Sequence, residues 1–80
     1  MAQRQAVVPS SLFEAHEVLR RQRPSRDAAP EDWIAFHRRC SEVYTATAKV
    51  DIRHRHEAMQ YAAIEIRRAR EIDPAVDSDS

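Results

Sequence analysis

Apolar residues from Leu12 to Leu19 fall on one stripe, with Leu12, Ala15/His16 and Leu19 in line and Phe13 beside them. These three- and four-residue steps are those of a helix resting on a single packing surface. Ser11-Leu12-Phe13-Glu14 reads as a capping box, the serine accepting from an early amide and Glu14 reaching back. Arg20, Arg21 and Arg23 suit the negative end of the helix dipole, and Pro24 stops the helix, so the pattern predicts a first helix over 11–22. A loop from Arg23 to Ala29 follows. Pro30-Glu31-Asp32 then marks a new start, with proline at the first position and two acids at the positive dipole end. Beyond it Trp33, Phe36/His37, Cys40, Val43/Tyr44 and Thr47 recur at helical steps, and Trp33, Cys40 and Tyr44 are expected to face the first helix. Ile52, His56, Met59, Ala62/Ala63, Ile66 and Ala69 repeat the pattern until Pro74 closes it.

Whether 30–73 is one helix or two decides the architecture. A single rod would be about 66 Å long, with most of its apolar stripe left bare beside a first helix of about 18 Å. Thr45, Thr47, Val50 and Ile52 are weak helix formers clustered at mid-length, and Asp51 could cap a new helix. Arg53, His54 and Arg55 oppose a break, because they would put positive charge into a first turn. The expectation is an all-α, antiparallel three-helix module with helices at 11–22, 30–48 and 52–72; the alternative is a helical hairpin with one long helix. Residues 1–10 read as a flexible lead, 11–73 as a single helical domain and 74–80 as a disordered acidic tail.

Composition sharpens this picture. The chain has no glycine among its 80 residues, which argues against tight β-hairpins, P-loops and dinucleotide-binding turns. Hydrophobic residues make up 42% of the chain, yet 13 of them are alanine, so large core side chains are few. Small domains with thin cores and no crosslink commonly lean on association. A second copy or another helical protein is therefore the expected partner. The third helix carries two partly apolar flanks, Met59/Ala63/Ile66 and Tyr61/Ile64, and a short first helix can cover only one of them.

Formal net charge is zero, so no bulk field draws the chain to nucleic acid or a membrane surface. Twelve of the 13 basic residues are arginine, several of them in adjacent pairs, a bias that base composition alone can produce. Arg38, Arg39, Arg53, His54 and Arg55 are the candidates for anion or nucleic-acid contact. The run Arg53-His54-Arg55-His56 would surround exposed amides only if a helix began there. A single cysteine rules out an internal disulfide and suits a reducing compartment, and no run reaches membrane-spanning length, so a cytoplasmic location is expected.

Catalytic and metal chemistry find little support. His37 and Cys40 stand three apart on one helix, a spacing that suits two zinc ligands, but they lie on the apolar stripe. Further ligands would have to come from His16, His54 or His56. Asp51-x-x-His54 has the form of a carboxylate–histidine metal element, but only one copy is present and arginines flank it. No catalytic residue, metal or cofactor is assigned.

Ala15-His16-Glu17, the Arg-Asp-Ala-Ala-Pro loop at 26–30, Trp33 with Phe36-His37, Ser41-Glu42-Val43-Tyr44 and His56-Glu57-Ala58 together suggest a kinship. Over about residues 12–70 the chain resembles a group of short actinobacterial helical proteins of unknown function. The resemblance implies a cytoplasmic helical protein and assigns no role to any single residue.

Overall fold

The structure, a computed structural model, describes residues 8–76, and every regular element among them is helical. α1 spans Leu12–Arg21, α2 Pro30–Val50 and α3 Arg55–Ile72, with a short 3-10 turn over Ile52–His54 between the last two. α2 and α3 form an antiparallel hairpin. α1 lies back along α2 in the opposite direction: its first amide reaches Asp51 at the end of α2, while Arg23 beyond its last turn lies over Trp33 near the start of α2. The expected three-helix module is present.

Local chemistry accounts for each end. Ser11 is extended (φ −149°, ψ 160°) and its Oγ accepts from the Glu14 amide at 3.1 Å. Glu14 reaches one residue further back than a standard capping box requires, accepting from the Ser10 amide at 2.6 Å and lowering its own pKa. α2 enters from an extended Ala29 with proline in its first turn. It continues to Val50, two residues past the expected end, because weak helix propensity alone does not break a helix that packs well. The break comes at Asp51 (φ −97°, ψ 78°), and the α-helical part of the third segment begins only at Arg55.

Asp51 does not do what the sequence led us to expect. It makes no side-chain cap to the segment that follows it. Its Oδ2 instead accepts from the Leu12 amide at 2.8 Å and lies 3.0 Å from His54 Nδ1. The Leu12 amide is one of the donors that a helix start leaves without an internal partner. Asp51 therefore caps α1 from the corner between the other two helices, and the Leu12 amide, followed by His54, holds its carboxyl below the usual carboxylate range.

The core is built on alanine. Ala15, Leu19, Cys40, Tyr44 and Ala62 form the buried cluster, with Leu12, Phe36 and Val43 packed against it. Along α3 the buried positions are Ala58, Ala62, Glu65 and Ala69: of the expected stripe Ala62 and Ala69 are inside, whereas Ile52, His56 and Met59 are exposed and Ile66 is half-buried. Ala58 and Ala69 are fully buried, whereas Met59 is 46% and Ile52 59% exposed. Small side chains let two helix backbones approach closely, and wider side chains then rotate to the flanks. Facing them on α2, Thr47 is fully buried and returns its hydroxyl to the Val43 carbonyl at 2.8 Å.

After α3 the chain turns over Pro74–Val76, where Val76 is buried and its carbonyl accepts from Arg70 Nε at 3.4 Å. The rest of the expected acidic tail, with Asp77 and Asp79, lies outside the described residues, as do residues 1–7. Pro9, within the expected flexible lead, is buried. No described helix is long and apolar enough to cross a membrane.

Candidate functional site

Two concave surfaces flank the hairpin. A cleft of about 770 Å³ opens where α1 ends, between His16, Leu19 and Arg20, the α2 residues Trp33, Phe36, His37 and Cys40, and Glu65, Arg68 and Ile72 of α3. With only ten residues, α1 does not reach along the full hairpin, and this end stays open. Trp33, expected to be covered by α1, is half-buried, with the Arg23 guanidinium 5.3 Å from its ring centre.

The cleft contains two hydrogen-bonded side-chain pairs. His37 Nδ1 lies 2.7 Å from Glu65 Oε1, and the two side chains are only 13% and 10% exposed. An ionised carboxylate only accepts, so Nδ1 donates in this pair. Glu65 Oε2 takes a longer bond from Arg68, at 3.3 Å, so both carboxylate oxygens have partners. His16 Nδ1 lies 2.7 Å from the Tyr44 hydroxyl, with its ring edge-on to both Tyr44 and Tyr61, which stack at 5.3 Å. These pairs allow polar groups to sit inside a thin core.

Burial, followed by the nearby Glu65 charge, pushes the Cys40 thiol up to about 12, so it stays protonated at neutral pH. Burial, with smaller contributions from Cys40 and Glu65, likewise pushes the Tyr44 hydroxyl up to about 12. Cys40 is 2% exposed and forms no hydrogen bond with His37, so an imidazole and a thiol three residues apart do not make an activated nucleophile. Among the described residues no three His, Cys, Asp or Glu side chains converge to hold a metal ion. His37 is committed to Glu65, and His54 to the Asp51 corner.

The second surface is a shallow groove between α2 and α3 on the other flank. It consists of two hollows of about 360 and 280 Å³ that share Thr45 and Lys49. Arg38, Glu42, Ala46 and Ile66 line one hollow, and Ala48, Arg55 and Met59 the other. Around α3, Met59, Ala63 and Ile66 lie to one side of the alanine seam and Tyr61 to the other. α1 takes the Tyr61 side through His16. The Met59 side has no helix over it among the described residues.

The expected partner residues therefore separate. Met59, Ala63 and Ile66 share the open flank. Tyr61 is 39% exposed but lies edge-on against His16 of α1, and half-buried Ile64 follows it one turn on along the same side of α3. The expected anion contacts also divide. Arg39 Nε donates to Gln22 Oε1 at 2.7 Å, tying α2 to the end of α1. Arg55 Nε donates to the Ala48 carbonyl at 3.3 Å and His54 faces Asp51, so both help to close the corner. Arg38 and Arg53 remain exposed.

Sequence reasoning overlooked Glu42, Thr45, Ala46 and Lys49, although their i, i+3, i+4, i+7 spacing places them on one face of α2. It also overlooked the His37–Glu65 and His16–Tyr44 pairs, each 28 residues apart with no local signal. No protein-family model, curated protein or solved structure matches the chain.

Proposed function

We propose that this chain is a non-catalytic helical interaction module, working in the cytoplasm, whose open α2–α3 face takes a second copy of itself or a helix of another protein. The observation that carries this reading is the asymmetry of the hairpin: α1 covers the Tyr61 flank through His16, while Met59 (46% exposed) and Ile66 line an uncovered groove beside α2. The Cys40 thiol, which burial keeps protonated at neutral pH, does not serve an enzymatic reading as a nucleophile. A nucleic-acid role has less to draw on than the arginine count suggests, since Arg39, His54 and Arg55 serve internal contacts.

Association that stabilises a fold raises its thermal midpoint with concentration. Static light scattering and thermal melts across a hundredfold concentration range test the self-associating form. A mass above that of one chain and a rising midpoint support it. A monomer mass with a constant midpoint leaves only the heteromeric form, and salt-sensitive binding to a DNA or RNA duplex would favour the nucleic-acid reading instead.

A further inference from the structure

The outer face of α2 is close to self-complementary. Glu42, Thr45, Ala46 and Lys49 occupy successive positions of one stripe lining the open groove. An acid at one end, a base at the other and two small residues between them form a pattern that matches itself when reversed. Glu42 and Lys49 are exposed, and neither forms an ion pair within the described residues.

Resting on the proposed interaction role, we infer that the occupant of this groove is a second copy of the chain, with the two α2 helices antiparallel and crossing between Thr45 and Ala46. A two-fold axis there sets each Glu42 opposite the partner's Lys49, about 5 Å along the helix on either side of the crossing. Thr45 and Ala46 are small enough for the helices to meet at about 8–10 Å. Met59 and Ile66 flank the seam from α3 and supply apolar contact on each side. Arg38 and Arg55 fall at the outer ends of the contact, at a solvent-exposed rim where salt screens their repulsion. A parallel arrangement would instead set Glu42 against Glu42 and Lys49 against Lys49, so the charges select the antiparallel one.

Charge exchange tests this directly. Glu42→Lys and Lys49→Glu each turn two opposite-charge contacts into like-charge ones, and the double exchange restores them in reversed order. Sedimentation equilibrium on the full chain should show each single variant dimerising about tenfold more weakly or worse, and the double variant within about threefold of the parent. Circular dichroism confirms that the variants, all at exposed positions, remain folded. A dimer whose affinity ignores both single exchanges, or a double variant no better than the singles, overturns this interface while leaving self-association through another surface. A parent that stays monomeric overturns it as well and leaves only the heteromeric form of the interaction role.

Discussion

The alanine seam makes a sharp prediction about size. Ala62 is 4% exposed and belongs to the cluster with Ala15, Leu19, Cys40 and Tyr44; Ala63, one residue on, is exposed. Leucine at either position has nearly the helix propensity of alanine, so the two substitutions differ only in where the added carbons go. Burying those carbons would return about 2 kcal/mol if space existed for them. At Ala62 there is none, since the neighbouring side chains and the closeness of α2 fill it, and overpacking costs about 1–3 kcal/mol net. For a domain of this size each 1 kcal/mol moves the midpoint by about 4–8 °C. Ala62→Leu should therefore melt roughly 5–20 °C below the parent, and Ala63→Leu within a few degrees of it. Melts followed by circular dichroism at low micromolar concentration keep association out of the comparison. If Ala62→Leu were as stable as Ala63→Leu, the helices would not meet on an alanine seam and the packing described above would be wrong.

Asp51→Ala should release the start of α1, because it removes the acceptor of the Leu12 amide and the partner of His54. Hydrogen exchange should then show protection lost in α1 first, with α2 and α3 retained; uniform loss would contradict a corner cap. In the parent, the carboxyl pKa is lower folded than unfolded, so its stabilising contribution is present above about pH 4 and fades as pH falls through the lower folded value. At the alkaline end the sign reverses. Cys40 and Tyr44 shift from 9.0 and 10.0 up to about 12, so stability should fall as pH rises from about 9 toward 12, and a midpoint flat across that range would argue against their burial. Near pH 8 a thiol reagent should label Cys40 only at the rate of unfolding, and labelling as fast as a free peptide thiol would refute its placement.

Much of the architecture was legible in the sequence because helix ends are local. Ser11, Pro24, Pro30 and Pro74 mark helix ends that fall within a residue or two of those expected, although α3 proper begins three residues late at Arg55, and the break near Asp51 followed from a rod too long for its partner. The face of α3 was read only in part, with Ala62 and Ala69 of the expected stripe inside but Ile52 and Met59 outside, for a physical reason. Periodicity ranks Met59 and Ile66 above alanine, whereas close helix packing selects the smallest side chains, so Ala58, Ala62 and Ala69 are inside. Glu65 reads as a surface acid until His37, 28 residues earlier, is seen to pair with it. Asp51 was rightly singled out as a cap, but its helix was the distant one. Of the expected site residues, Met59 and Ile66 line the open groove, Ala63 is exposed on the same flank of α3, and Tyr61 lies against His16 of α1.

The central proposal is that the hairpin associates through its open α2–α3 face, while α1 lies over the Tyr61 flank. Amide chemical shifts recorded from dilute to concentrated protein test it most directly, since every residue reports separately. The account predicts shifts at Thr45, Ala46, Met59 and Ile66 that follow one association curve, with His16, Trp33 and Tyr61 unchanged. Concentration-dependent shifts gathered instead around Trp33, Arg68 and Ile72 would place the contact on the cleft and contradict the assignment of the open face.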